Sequence, residues 1–244
     1  MAVVKKLKTI VVLPAYNAEK TLEKTVREIP QEVVEEIILV DDKSHDKTVK
    51  IARKLNLTVF RHRKNRGYGA NQKTCYLLAL KHHPDIVVML HPDYQYDPKI
   101  IKYFVEFISE GRFDVMLGSR IRSRHETLTS GMPLYKYLGN RFLTIIENFV
   151  SGYNLSEWHT GMRAYKREVL ENIDFLKNSD DFLFDSQILF QIIEKGYRIG
   201  EIPVPVRYFP EASSINFKRS LKYGLGTLAV ATKFLVKKIL PWNT

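Results

Sequence analysis

The chain has 244 residues, 45% hydrophobic and 11% aromatic, with a net charge of +11 and a single cysteine, Cys75. It is long enough to bury a sizeable core, and the lone cysteine excludes a disulfide framework and points to a reducing compartment. The apolar run after Lys5, Lys6 and Lys8 is too short for a signal-peptide core, and no stretch approaches the roughly 20 apolar residues that span a bilayer. The expected location is therefore cytoplasmic, or peripheral on the cytosolic face of a membrane.

In chain order, short β-rich runs at 9–15, 36–41, 57–60, 86–90 and 115–118 alternate with stretches of helical length at 19–29, 48–55, 70–82 and 100–110. Pro98 stands where the last of these helices should begin. The alternation predicts βαβ units, and so an α/β fold with a mostly parallel central sheet flanked by helices. Residues 133–150 read as an amphipathic helix and 158–163 as a loop feeding the edge of the sheet. An acidic start at 180 runs into a helix to 194, with Gly196 as its stop. Residues 197–206 read as a strand that Pro203 and Pro205 confine to an edge.

The positive charge is uneven. Residues 61–73 hold Arg61, Arg63, Lys64, Arg66 and Lys73 without an acid, and so does the tail from Asn216 onward, with Lys218, Arg219, Lys222, Lys233, Lys237 and Lys238. Such patches suit nucleotide phosphates, nucleic acid or anionic lipid, with a solvated face as the plainer alternative. Residues 217–240 put apolar side chains at Phe217, Leu221, Leu225, Leu228, Leu235 and Ile239. That is the pattern of a helix lying on a membrane surface, or of one packed on its own domain. With no repeat, low-complexity segment or linker, the expected organisation is one domain over 1–215 and a basic amphipathic helix over 216–244.

Parallel sheets place ligands outside the carboxyl ends of their strands. Those ends read Pro14-Ala15-Tyr16-Asn17, Asp41-Asp42-Lys43-Ser44, His91-Pro92-Asp93-Tyr94-Gln95 and Gly118-Ser119-Arg120. Turns and helix caps explain any one of them: Asp46 before Thr48 and Asn17 before Glu19 have the form of caps. Four on one edge describe a site for a nucleotide and a metal-bound diphosphate, and Asp93, with His91 and Gln95 beside it, is placed to hold the cation.

These segments resemble the GT-A glycosyltransferases of family 2, in particular the polyprenyl-phosphate (dolichol-phosphate) sugar transferases. The resemblance runs nearly end to end. It takes in the strand ending Pro14-Ala15-Tyr16-Asn17 with Glu19, then Val40-Asp41-Asp42 through Thr48, and Asn65-Arg66-Gly67-Tyr68-Gly69-Ala70-Asn71. His91 to Pro98, Gly118-Ser119-Arg120, Thr160-Gly161-Met162-Arg163, the proline-rich run from Glu201, and Ser213-Ser214-Ile215-Asn216-Phe217 follow in the same order. The family's metal motif usually has an aspartate where this chain has His91. Asp93 is therefore the first metal ligand, Gln95 the second and His91 a third, for Mg²⁺ or Mn²⁺.

The resemblance implies a metal-dependent, inverting transfer of a hexose from a nucleotide sugar of GDP-mannose or UDP-glucose type. Asp42 would face the base or ribose, and Asp41 the same or its own turn. Ala15 and Asn17 would line the base, and the basic stretch 61–73 would meet phosphates. Pro14, Tyr16, Glu19, Asn65, Gly69, Asn71 and Pro92 fall within the matching donor motifs. A lipid monophosphate acceptor is already anionic near neutral pH and needs cations rather than a general base. Arg120 is the first candidate to hold it, with Lys136, which the resemblance places at the acceptor phosphate, then Arg207 and Ser214. A saccharide or glycolipid hydroxyl would instead need a base. Asp185 lies where hydroxyl-transferring relatives keep one, with Asp181 nearby; the alternative for Asp185 is a first-turn acidic residue of a helix. A non-catalytic nucleotide- or nucleic-acid-binding protein is the remaining reading, and no helix-turn-helix, zinc or RNA-binding signature accompanies the charge; no nucleic-acid partner is expected.

Overall fold

The computed structural model describes residues 7–121, 123–129, 131–207 and 217–240. The chain opens with β1 (Thr9–Ala15), α1 (Leu22–Arg27), β2 (Glu36–Asp41), α2 (Thr48–Lys54), β3 (Thr58–Arg61), α3 (Tyr68–Lys81) and β4 (Ile86–Met89). After a 3₁₀ turn at Pro98–Ile100 come α4 (Ile101–Ser109), β5 (Val115–Ser119), α5 (Arg124–Thr129) and α6 (Leu134–Ser151). The later elements are β6 (Arg163–Lys166), α7 (Arg167–Asn172), α8 (Phe184–Glu194), β7 (Ile199–Pro203) and α9 (Phe217–Ile239).

Seven strands form one sheet in the order β3-β2-β1-β4-β6-β5-β7. All neighbours run parallel except β6, which is antiparallel to both β4 and β5. The central strands are buried on both faces, which is why they read as unbroken apolar runs. Ile10, Val12, Val87 and Met89 point to one layer, with Tyr76, Trp158 and Phe184. Val11, Leu13 and Val88 point to the other, with Leu22, Phe104 and Ile108. The carboxyl ends of β1, β2, β4 and β5 share one edge, as expected from the sequence.

β1 and β2 have the expected bounds, and β7 is the expected edge strand, shorter than anticipated. β6 falls partly in the segment expected to be a loop; it is only four residues, two of them basic, and pairing with β4 and β5 makes it a strand. α8 starts at Phe184 rather than near 180 because the Asp180 carbonyl is turned to the amides of Gly69 and Ala70 (2.8 and 3.2 Å). α9 packs on α6 and α8, burying Ala231 and setting Phe234 against Phe190 at 4.7 Å. Its Leu221, Leu225 and Ile239 face outward, so the helix has an inner apolar face and an outer one. Among the described residues no helix is long and apolar enough to cross a membrane.

Asp114, just before β5, binds three strands together. It accepts from the Arg198 guanidinium (2.9 and 3.0 Å), from the Arg198 amide (3.0 Å) and from Lys166 (2.7 Å). The Arg198 hydrogen bond, helped by Lys166, holds the carboxyl well below the usual range despite its burial. A carboxyl depressed in the folded state stabilises above its unfolded pKa, near ~4, and loses that contribution as pH falls. Asp114→Asn should therefore cost about 1 kcal/mol in urea unfolding at pH 7. The gap from wild type should close as the pH is lowered from about 5, and a gap constant with pH would contradict the assignment.

Candidate active site

Beyond the ends of β1 and β2, two loops are tied to each other. The Asn17 amide donates to Ser44 Oγ (2.8 Å) and Asn17 Oδ1 accepts from the His45 amide (2.9 Å). The Ala18 amide donates to Thr48 Oγ1 (2.8 Å) and the Glu19 amide to Asp46 Oδ2 (3.0 Å), while Glu19 Oε2 accepts from the Lys47 amide (2.9 Å). These bonds explain why α1 begins later than expected. Asn17 and Glu19 thus latch the loops, and Tyr16, half-exposed, stands beside them. Asp41 closes its own turn by accepting from the Ser44 amide, and it pairs with Arg61 at 3.0 Å.

Asp42 is buried and engaged by the chain itself. Its Oδ1 accepts from the Arg66 amide (2.8 Å) and lies 2.7 Å from His62 Nδ1, while Oδ2 accepts from the Gly67 amide (3.0 Å). Its carbonyl accepts from the Asn65 side chain (3.1 Å). The Asn71 amide group donates to the Val40 carbonyl (3.1 Å), and Asn71 Oδ1 is buried without a partner among the described residues. Gly69 is required by close approach, because a Cβ there would sit 2.4 Å from the Ser179 carbonyl oxygen. Of the basic stretch, Arg61 is tied to Asp41 and Lys73 to Asp180 (2.8 Å), while Arg63, Lys64 and Arg66 are exposed.

At the centre of the edge lies a buried relay. Arg163, fully buried, donates to the carbonyls of Thr160 (2.9 Å), Trp158 (3.1 Å) and Asp185 (3.1 Å), and its guanidinium is 3.6 Å from Asp185 Oδ1. Asp185 Oδ2 accepts from the Tyr68 hydroxyl (2.8 Å) and Oδ1 from Gln72 Nε2 (3.2 Å). Burial and the neighbouring Asp185 carboxylate push the Tyr68 hydroxyl well up, so it stays a donor. Its single proton goes to Asp185. The contact of its oxygen with His91 Nε2 (3.1 Å) then assigns the proton there to the imidazole, leaving Nδ1 as the lone-pair nitrogen. Burial lowers His91, against the carboxylates of Asp93 and Asp185. The ring stacks on Tyr68 and crowds Gly161, where a Cβ would be 2.5 Å from His91 Cδ2.

The 91–97 segment turns sharply at Tyr94 (φ 57°), with Asp93 Oδ1 accepting from the Gln95 amide (3.0 Å). Pro92 offers its carbonyl to Thr21 Oγ1 (2.6 Å). Among the described residues no three His, Cys, Asp or Glu side chains cluster to cage a metal. The candidate donors are the Asp93 carboxylate and the Gln95 amide oxygen, whose oxygens suit a hard cation, with the His91 imidazole as the softer and less fitting third. That set fits a cation that takes its remaining ligands from phosphate and water, as Mg²⁺ commonly does. The residues present therefore suit a diphosphate-bridging ion and not an all-protein cage.

The acceptor candidates separate. Arg120 donates to Glu157 through Nε (2.8 Å), a second guanidinium contact and its amide (2.6 Å), and to the His159 carbonyl (2.7 Å). Glu157 is fully buried, yet the Arg120 charge and hydrogen bonds outweigh burial and lower its carboxyl. Arg120 also lines a cavity of about 260 Å³ with Thr127, Thr129, Val204 and Val206. Lys136, near the start of α6, is lowered by partial burial and by the charge of Arg120, and among the described residues no carboxylate pairs with it. Arg207 instead lies over the Tyr94 ring (4.3 Å) and 3.9 Å from Glu28. Ser214, with its motif up to Asn216, lies outside the described residues.

Tyr68, Gln72, Arg163, Glu157 and His159 were not singled out from the sequence as site residues. Tyr68 and Arg163 sat inside quoted motifs, and an arginine bracketed by apolar residues in Met162-Arg163-Ala164-Tyr165 is the one signal that could have marked a buried charge.

Residues 10–174 match the family model for glycosyl transferase family 2. An uncharacterised protein of Methanocaldococcus jannaschii is 32% identical over 198 residues, 81% of each chain. A dolichyl-phosphate hexose transferase of Haloferax volcanii is 31% identical over 201 residues, 81% of this chain and 82% of its own. A UDP-N-acetylglucosamine–dolichyl-phosphate N-acetylglucosaminyltransferase of Methanococcus voltae is 27% identical, over 81% of this chain and 84% of its own. Among solved structures, glucosyl-3-phosphoglycerate synthase of Mycobacterium tuberculosis with UDP superposes with a TM-score of 0.73 at 19% identity, covering 94% of this chain and 80% of that one. The same enzyme has been crystallised with Mn²⁺ and UDP-glucose, with a TM-score of 0.72. The fold is thus the GT-A fold, and the chain belongs to glycosyl transferase family 2 and is a glycosyltransferase.

Proposed function

We propose that this enzyme moves a hexose from a nucleotide sugar to a polyprenyl or dolichyl phosphate, working peripherally on the cytosolic face of a membrane. The observation that carries the reading is the placement of Lys136. It is the cation beside Arg120, and it lies on the first turn of a helix whose outer face is apolar. Leu134, Leu138, Phe142, Ile145 and Phe149 are all more than half exposed along α6, Phe149 at 85%. A charged head followed by a greasy track matches a phosphate on a long hydrocarbon and has no use for a soluble sugar. Two relatives are named for dolichyl-phosphate acceptors, which agrees with this chemistry.

The electrostatics point the same way. Arg120 is paired with Glu157 while, among the described residues, no carboxylate pairs with Lys136, so an acceptor phosphate would meet both cations, with Lys136 the less compensated. A phosphate docking there would relieve both its partial desolvation and its repulsion from Arg120. The donor would lie across the ends of β1, β2 and β4, with Pro14, Ala15, Tyr16 and Asn17 along one side and Asp42, Asn65, Gly69 and Asn71 along the other. Asp93, with His91 Nδ1 and Gln95, would hold a divalent cation, which neutralises the diphosphate as it leaves. A phosphate oxygen of the acceptor attacks the anomeric carbon from the opposite face. The new C–O bond forms as the bond to the nucleoside diphosphate breaks, with inversion and with no proton to remove. The hydroxyl-acceptor reading needs Asp185 as base. Its two oxygens are taken by Tyr68, Gln72 and Arg163, so the geometry favours a positioning role. Donor base and sugar are left to the assay, GDP-mannose and UDP-glucose being the types to try first.

Labelled sugar should pass from one of these donors into an organic-extractable product with a polyprenyl phosphate and Mn²⁺ or Mg²⁺. Chelation or Asp93→Asn should reduce transfer by about 10²–10³-fold, the usual cost of removing a preorganised charge-stabilising group. Lys136→Ala should raise the acceptor KM about 10-fold or more, the worth of one charge-assisted contact. Metal-dependent donor hydrolysis without lipid product would remove the lipid acceptor. Asp185→Asn should lose about 3 kcal/mol of stability in urea unfolding, since it strands the buried Arg163 charge. Full stability with abolished transfer would instead identify Asp185 as a base.

A further inference from the structure

A buried polar cluster between α6, α9 and the 155–160 loop takes no part in the donor site, yet it is wired to Arg120. α6 grips this loop at several points. Asn140 donates to Glu157 (2.9 Å), Arg141 to the Ser156 carbonyl (2.7 Å) and Asn148 to the Leu155 carbonyl (2.8 Å), while Asn148 Oδ1 accepts from the Trp158 indole (2.7 Å). The loop in turn grips Arg120, through the Glu157 carboxylate and the His159 carbonyl.

The His159 ring faces the other way. Its Nδ1 is 2.6 Å from the Tyr223 hydroxyl of α9, and its Nε2 is 3.2 Å from Glu147 Oε2 of α6. Glu147 is fully buried, and among the described residues neither of its oxygens has an aligned hydrogen bond; the His159 ring packs against it at 3.2 Å. A ring held at Nδ1 by α9 and packed against Glu147 of α6 limits how far the His159 backbone can shift, and the carbonyl of that residue accepts from Arg120. The adhesion of α9 has other sources, Ala231 and the Phe190–Phe234 pair, so the Tyr223 hydroxyl is not needed as glue.

We propose that His159 is a positioning residue: clamped by Tyr223 and Glu147, it sets the carbonyl that aims Arg120, and so couples the seat of α9 to capture of the acceptor phosphate. The coupling to acceptor capture rests on the function proposed above, whereas the aiming of Arg120 does not.

The test compares the full chain with its Tyr223→Phe variant. The Nε–H resonance of Arg120, assigned by its absence in Arg120→Lys, should shift in Tyr223→Phe. Melting temperature should fall by no more than about 2–4 °C, the worth of one hydrogen bond in a chain of this size, and nucleoside diphosphate binding by calorimetry should stay as in wild type. The KM for polyprenyl phosphate should rise about 3- to 10-fold, the worth of one net hydrogen bond, with kcat nearly unchanged. His159→Gln, which keeps a polar group at that reach, should move the resonance less than His159→Ala. An unmoved Arg120 resonance overturns the proposal, as does a lower melting temperature with unchanged acceptor KM. If wild type transfers nothing to polyprenyl phosphate, the acceptor reading fails while the resonance still decides whether His159 aims Arg120.

Discussion

A guanidinium with no access to water, that of Arg163, holds the edge of the sheet together. It sits on the short antiparallel strand between β4 and β5 and bonds the carbonyls of Trp158, Thr160 and Asp185. A buried charge must be compensated, and the Asp185 carboxylate at 3.6 Å provides it. Through Asp185 the constraint reaches Tyr68 at the head of α3, and through Tyr68 the imidazole of His91. One ion pair therefore links the first turn of α8 to the 158–160 loop and, through Tyr68, to the tautomer of His91.

The same economy governs the other half of the edge. Asp41, Asp42, Asn17 and Glu19 spend their polar atoms on each other's loops, so the proposed donor side is preorganised by its own hydrogen bonds. On the proposed acceptor side Glu157 pairs with Arg120, and among the described residues no carboxylate pairs with Lys136 at the head of an exposed apolar helix face. The two sides then ask for different partners. A preorganised polar cleft suits a nucleotide diphosphate with its cation, and cations above a hydrophobic track suit a lipid phosphate.

Much of this was legible in the sequence, for a physical reason. Strands buried on both faces must be apolar throughout, so β1 and β2 announce their own limits, and the polar residues that end them mark the ligand edge. What could not be read was direction. Asp42 stands at a strand end but points into the 65–67 loop, and Arg207 reaches Tyr94 and Glu28, not Arg120. β6 was hidden because its strand character comes from its neighbours, not from its four residues. In α9 the apolar positions belong to two faces, one on the core and one outward, a division that depends on where α6 and α8 lie. His159 looked like part of a loop motif, and only the approach of Tyr223 and Glu147 gives it a task.

The central claim is that the acceptor is recognised by its phosphate and its hydrocarbon together. Equilibrium binding of a polyprenyl phosphate and of the matching polyprenol to the donor-free protein, both in the same neutral detergent, tests it most directly. The account predicts saturable binding of the phosphate and at least about 10-fold weaker binding of the alcohol, a difference set by one charge-assisted contact. Equal binding of the two, or tighter binding of the alcohol, would contradict it.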